Sequence, residues 1–184
     1  MRSPKYCIFL CIVTLLVTVM VTVHAAESRN NLLLNGDFSL GLDENSLPLH
    51  WTSFALLTDG VSVSLSNEYK TAGEYSLALV DATAEKSVGM RSMRVNAVAG
   101  QRFLAEVDVR IQSGDAMVYL DFHNDKGQRV DAKILTIRGP IEWQTVSVEG
   151  IAPEGTVDVS IILYSGLVNQ GTSYFDNVRL YLLP

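Results

Sequence analysis

Beyond its first 25 positions, this chain alternates apolar and polar residues along most of its length. Phe103, Ala105, Val107 and Val109 alternate with Leu104, Glu106, Asp108 and Arg110, the period-two signature of a strand with one face on a core. Val118, Leu120 and Phe122 alternate in the same way with Met117, Tyr119, Asp121 and His123. Val157, Val159, Ile161 and Leu163 alternate with Asp158, Ser160, Ile162 and Tyr164. The same pattern predicts further strands over Gly60–Leu65, Tyr75–Val80, Ser87–Val95, Val130–Ile137, Trp143–Val148 and Tyr174–Leu182. No stretch repeats apolar residues at helical spacing. Turn sequences punctuate the strands: Ser113-Gly114-Asp115, Asn124-Asp125-Lys126-Gly127, Arg138-Gly139-Pro140 and Ala152-Pro153-Glu154-Gly155. Strands recurring about every ten residues predict an all-β sandwich or barrel. Neither a linker composition nor an internal repeat divides the chain.

The N-terminal segment follows a different rule. Arg2 and Lys5 precede an apolar run from Tyr6 to Val23, and Val23-His24-Ala25 fits the small-residue cleavage pattern. The expectation is a signal peptide over 1–25, a single domain over 26–184, and a secreted or otherwise extracytoplasmic product. An uncleaved run of this length would be long enough to anchor in a bilayer. Both cysteines, Cys7 and Cys11, lie in this segment, so the expected domain has neither a disulfide nor a thiolate metal site and must rely on its core or a bound ion. The whole chain has a formal charge of -6, from 14 basic and 20 acidic residues. Losing Arg2 and Lys5 leaves 12 against 20, or -8. That balance disfavours nucleic acid and anionic membrane surfaces, which need a basic face.

Several separated motifs form an ordered set. Asn35-Gly36-Asp37-Phe38 is followed by Pro48 and Trp51. Ala72-Gly73-Glu74-Tyr75-Ser76-Leu77 comes next, then Phe122 to Gly127 and Glu142 to Val148. Thr172-Ser173-Tyr174-Phe175-Asp176-Asn177-Val178-Arg179-Leu180 closes the chain. Together they resemble carbohydrate-binding modules of families 4, 9 and 22, in the galactose-binding-domain-like superfamily, over Asn31 to Leu183. The resemblance implies a β-sandwich jelly roll of two antiparallel sheets. Such modules often carry one structural calcium tying the first strand, the second motif and the last strand together. Carried over by position, its oxygen ligands are Asp37, Ser39, Glu74 and Asp176, and the family usually has Glu where this chain has Ser39. The alternative is that Asp176 only accepts hydrogen bonds from the Asn35–Phe38 turn and fastens the two termini. In the resembled modules both tryptophan motifs are structural landmarks, so Trp51 and Trp143 are expected to be mostly buried.

A sugar site needs an aromatic ring for the apolar face of a pyranose and polar side chains for its hydroxyls. With Val118, Leu120 and Phe122 in the core, Tyr119, Asp121 and His123 project from the opposite face, and Tyr164 shares the outward phase of its own strand. Arg91 and Arg94 lie on a candidate neighbouring strand, and Asn169 and Gln170 precede the last one. Tyr119 and Tyr164 are the leading stacking candidates. The alternative is an ordinary solvated sheet face.

Catalytic signals are weak. Asp121 with Asp125, or Glu106 with Asp108, are the acid pairs open to glycoside hydrolysis. However, Glu106 and Asp108 have the ordinary spacing of a solvated strand, and Asp125 has a turn explanation. No nucleophile elbow or His-Glu-x-x-His occurs, and His24, His50 and His123 lack metal-ligand spacing. The expected function is therefore non-catalytic recognition of a poly- or oligosaccharide on a concave sheet face, with a glycoside hydrolase as a potential partner. The alternative from another class is an envelope or matrix protein that uses the same jelly roll to bind a protein. A flat apolar patch on the Met117–His123 face would favour that reading.

Overall fold

A computed structural model describes residues 29–53, 57–166 and 168–184. The expected export signal, with Cys7, Cys11 and His24, lies outside them. Eleven strands are present: β1 (Trp51–Ser53), β2 (Val61–Ser66), β3 (Ser76–Asp81), β4 (Val88–Ser92), β5 (Val95–Asn96), β6 (Arg102–Ser113), β7 (Asp115–His123), β8 (Arg129–Arg138), β9 (Ile141–Ile151), β10 (Asp158–Ser165) and β11 (Gly171–Leu183). No helix occurs among the described residues. One sheet runs β1-β4-β10-β7-β8, with β5 also paired to β10, and the other runs β2-β3-β11-β6-β9. All pairings are antiparallel; β2–β3 and β7–β8 pair within one sheet, whereas most other consecutive strands cross between the sheets, as in a jelly roll.

The alternating residues meet between the sheets. Val118, Leu120 and Phe122 of β7 are fully buried, as are Ala105, Val107 and Val109 of β6, Ile161 and Leu163 of β10, and Phe175 of β11. Phe103 packs on Phe122 across the interior, with ring centres 6.3 Å apart. Two details depart from the alternation. The expected Ser87–Val95 strand breaks into β4 and β5, because the Met93 N–H leaves the ladder and donates to the His50 carbonyl. Trp143 is only half-buried, contrary to expectation. It sits on β9, an edge strand with a neighbour on one side only.

The Asn-Gly-Asp-Phe and Pro-x-x-Trp motifs form one joint. Trp51 is buried against Phe38, with ring centres 5.1 Å apart, and its indole N–H donates to the Asn35 carbonyl at 3.0 Å. The Asn35 side chain donates to the Leu49 carbonyl at 2.7 Å and accepts from the Leu40 N–H at 2.9 Å. Asn35 and Phe38 both hold positive φ, 55° each. Asparagine tolerates that region, and for Phe38 full burial compensates its steric cost. This joint is fastened to the last strand. The Val178 N–H donates to the Gly36 carbonyl, Leu32 N–H to the Leu180 carbonyl, and Leu180 N–H to Asn31 Oδ1.

Gly36 has to be glycine at this crossing, since a Cβ would lie 2.0 Å from the Val178 carbonyl oxygen. Backbone on both sides prevents relief. Gly36→Ala is therefore expected to cost about 3 kcal/mol, at the upper end of overpacking effects. The measurement is the denaturant midpoint at unchanged m-value, and a midpoint equal to wild type would refute the tight crossing.

Candidate functional site

The outward face of the β1-β4-β10-β7-β8 sheet gathers most of the expected ligand residues. Strand register puts Ile162 of β10 opposite both Arg91 of β4 and Tyr119 of β7. Ser160 faces Asp121, and Asp158 faces His123. Tyr164 lies one step further along β10, and its ring meets Tyr119 edge to face, with centres 5.9 Å apart and planes at 82°. Ile162, Tyr119, Tyr164 and Arg129 line a depression of 140 Å³.

Beneath this depression the face is charged rather than solvated. Asp121 and His123 were expected to project into water, yet their residues are 0% and 1% exposed. Arg129 Nη2 donates to Asp121 Oδ2 at 2.7 Å, Arg91 Nη2 lies 3.8 Å from the same oxygen, and His123 Nε2 lies 3.5 Å from it. The opposite ring nitrogen of His123 is 3.0 Å from Asp158 Oδ1, and Arg94 pairs with Asp158 at 3.2 Å. Burial pulls the Arg91 guanidinium below its ordinary pKa; the Arg94 and Arg129 cations add to that, while Asp121 and Asp158 oppose it. Burial likewise pushes the Tyr119 phenol up, with Tyr164 adding to it. The Arg129 guanidinium stands 5.6 Å from the Tyr119 ring centre, within cation–π range.

Asn169 and Gln170 do not join this group. Asn169 Oδ1 accepts from the Asp115 N–H, and its Nδ2 donates to the Asp115 carbonyl and to Ser165 Oγ. Its carboxamide is thus spent on bracing the loop before β11. Gln170 donates to the Ala82 carbonyl at 3.5 Å. Conversely, Arg129 and Ile162 escape the sequence reading as site residues. Ile162 is legible in its outward phase, but as an aliphatic it carries no chemical flag. Arg129 is not legible: a bulge between Phe122 and His123 pairs His123 with Arg129 and Phe122 with Asp131, which resets the phase of β8.

The expected calcium ligands sit on the far side of the molecule, at the seam between the termini. Asp176 is fully buried, and its Oδ2 accepts from the N–H groups of Thr71 and Ala72 at 2.6 and 2.8 Å, while Oδ1 accepts from the Asn177 N–H at 2.6 Å. The donors differ from the Asn35–Phe38 turn expected in the hydrogen-bonded alternative. Ser39 Oγ accepts from the Glu74 N–H at 2.8 Å and donates to the Asp37 carbonyl at 3.3 Å. A Cβ on Gly73 would lie 2.0 Å from Ser39 Oγ and 2.8 Å from Asp37 Oδ2, so the loop is packed down onto that pair. The side-chain oxygens of this set are already engaged: Asp176 accepts three N–H bonds and Ser39 Oγ binds the Glu74 N–H. A calcium ion here would therefore draw on the Asp37 and Glu74 backbone carbonyls that the resemblance assigns to it.

Asp108, opposite Asp176 in the β6–β11 pairing, completes the seam. It accepts from Thr145 Oγ1 at 2.6 Å, Thr71 Oγ1 at 2.8 Å and Asn177 Nδ2 at 3.1 Å. Burial pushes its carboxyl up, but these three hydrogen bonds and the Arg179 cation together hold it below the usual aspartate range. Asp176 goes the other way, pushed up by burial despite the hydrogen bonds it accepts. The acid pair Glu106 and Asp108 is thereby accounted for, with Arg179 3.5 Å from one and 3.8 Å from the other.

No family model matches the chain, and no curated protein sequence matches it. Its likeness to known proteins is one of structure. The enzymatically active domain of tailspike protein 4 from bacteriophage CBA120 aligns with a TM-score of 0.69 at 17% identity, over 83% of this chain and 21% of the tailspike. A family 16 carbohydrate-binding module aligns with a TM-score of 0.56 at 18% identity, over 82% of this chain and 99% of the module. The CBM22-1 xylan-binding domain of Paenibacillus barcinonensis Xyn10C aligns with a TM-score of 0.57 at 14% identity, over 86% and 97%. The chain thus spans about a fifth of the tailspike and nearly the whole of each binding module. At these identities the likeness establishes the fold alone: a β-sandwich jelly roll of two antiparallel sheets, similar to that of these modules.

Two measurements test the seam. Melting temperatures in calcium and in EGTA should coincide, whereas a rise with calcium would show that an ion completes the site. Asp108→Asn should lower stability at neutral pH by about 1–3 kcal/mol, from the loss of charge-assisted hydrogen bonds. A carboxyl held below its unfolded value stabilises above that value and loses this contribution as pH falls through the folded pKa. The gap between variant and wild type should therefore start to close as pH falls to about 3.9, the unfolded value, and vanish only below the lower folded pKa. A difference that stays constant with pH would show that the Asp108 charge is not involved.

Proposed function

We propose that this chain is an exported, non-catalytic carbohydrate-binding protein that takes a poly- or oligosaccharide on the outward face of the β1-β4-β10-β7-β8 sheet. The observation that carries this reading is the Tyr119–Tyr164 pair, edge to face in a depression that Arg129 and the buried Ile162 also line. The tyrosine rings suit the apolar face of a pyranose, and the guanidinium beside them suits a ring substituent. The carbohydrate-binding modules with the same fold support the choice of ligand class.

A non-catalytic role is supported by the state of the acidic groups. Asp121 is sealed beneath Arg91, Arg129 and His123, and Asp125 lies exposed in the turn after β7. Neither combines access to the tyrosine pair with a partner carboxylate across a bond to be cleaved. Charged groups bracketing the depression also disfavour the protein-docking alternative, which needs a flat apolar patch. In polysaccharide degradation the chain would act beside a separate hydrolase rather than as one.

Glycan-array binding by the wild type, followed by titration of the best ligand into Tyr119→Ala and Tyr164→Ala, tests the reading. Each substitution should weaken binding about tenfold, the worth of one lost stacking surface. Wild-type affinity in both variants would place the site elsewhere.

A further inference from the structure

Resting on the carbohydrate reading of this face, we propose that its ligand is an anionic glycan, whose pyranose rings carry carboxylate or sulfate groups, and that Arg129 takes the anion. The first argument is the sign of the charge presented to solvent. The chain as a whole is acidic, with a formal charge of -6. On this face, three guanidinium groups stand against two carboxylates, and their exposures run in the same direction. The Arg91, Arg94 and Arg129 side chains are 25%, 36% and 46% exposed, whereas those of Asp121 and Asp158 are 0% and 15%. A ligand approaching the tyrosines therefore meets the Arg129 cation, because the carboxylate that balances it, Asp121, is buried.

The second argument is the lining of the depression. Tyr119, Tyr164, Ile162 and Arg129 include one cation and no carboxylate. A site for a neutral sugar commonly pairs its aromatic platform with hydrogen-bond acceptors as well as donors, since hydroxyls need both. Arg129 supplies donors only.

The third argument is that Arg129 is held in place yet not used up. One of its terminal nitrogens binds Asp121 Oδ2 at 2.7 Å, which leaves further N–H groups of a five-donor fork. Asp121 is shared with Arg91, so this single carboxylate stands against two guanidinium groups. The fork also stands beside the Tyr119 ring. A pyranose stacked on the tyrosine pair would bring a ring carboxylate or sulfate to the guanidinium in one register, where the planar fork can pair with two oxygens.

The test compares ligands that differ only in charge. Oligogalacturonate is titrated beside its carboxyl-reduced counterpart, and a carrageenan oligosaccharide beside its desulfated counterpart. At least one anion should bind tenfold or more tighter than its neutral partner, and which pair responds distinguishes carboxylate from sulfate. That preference should shrink as salt rises from about 20 to about 300 mM, as expected for a partly exposed ion pair. Arg129→Gln should reduce the anion-to-neutral ratio towards one, and Arg129→Lys should retain part of it. If Arg129→Gln does not fold, the salt dependence of the wild type decides alone. Neutral ligands bound as tightly as their anionic partners in both pairs would overturn the anionic assignment and leave the carbohydrate reading standing. No binding to any of the four, together with a silent glycan array, would overturn both.

Discussion

The Asp121 carboxylate has no contact with water, and the outward face of its sheet is arranged around that fact. An isolated ionised carboxylate in such a place would cost several kcal/mol. Arg129 from β8, Arg91 from β4 and His123 from the same strand converge on it. The two guanidinium groups come from strands other than that of Asp121, so β4, β7 and β8 must hold their register for the charge to be offset. Meeting this constraint also builds the site. The guanidinium that covers Asp121 is the one that stands beside Tyr119, and Ile162 lies between Arg91 and Tyr119 in the same row.

A second buried acidic centre sits on the other sheet and shows a different solution. Asp176 is satisfied by backbone N–H groups of the 71–72 loop rather than by a cation, and Asp108 beside it is satisfied by hydroxyls and an amide. At Asp108 hydrogen bonds to the charged form, with the Arg179 cation, outweigh burial, whereas at Asp176 burial outweighs the hydrogen bonds. The loop is gripped on its other side by Ser39, which binds the Glu74 N–H. Hydrogen bonds thus join three segments far apart in the chain, and a metal ion would have to displace several of them to enter.

The two centres divide the work of the fold. The seam closes the chain's ends over the core, through Gly36, Asn31 and the last strand. The charged face carries the proposed recognition site, and its rigidity follows from being built on paired strands rather than loops. Of the residues near the termini of strands, Asn169 shows how the two demands separate. It has the amide chemistry that a sugar site uses, but it spends that chemistry on Asp115 and Ser165.

Much of the architecture was legible in the sequence, because a period of two places every second residue on one face regardless of what lies opposite. That rule located most of the long strands, put Val118, Leu120 and Phe122 inside, and sent Tyr119 and Tyr164 outward. The motif order pointed to the jelly roll, and Asn35, Gly36 and Trp51 meet as one joint. What alternation cannot carry is which outward residues share a face, how deeply they lie, and where a bulge shifts the phase. Asp121 and His123 read as solvated and are buried, because burial there depends on arginines contributed by other strands. Arg129 was missed because the irregularity opposite Phe122 and His123 breaks the count along β8. The same holds at the seam, where Asp176 was a visible acid but its partners, Thr71 and Ala72, lie about a hundred residues away in sequence. Periodicity is a local property of the chain, whereas the neutralisation of a buried charge is a property of the assembled sheets. For this protein the sequence by itself determined most of the long strands and which of their residues face the core, and the tertiary structure alone decided which outward residues meet.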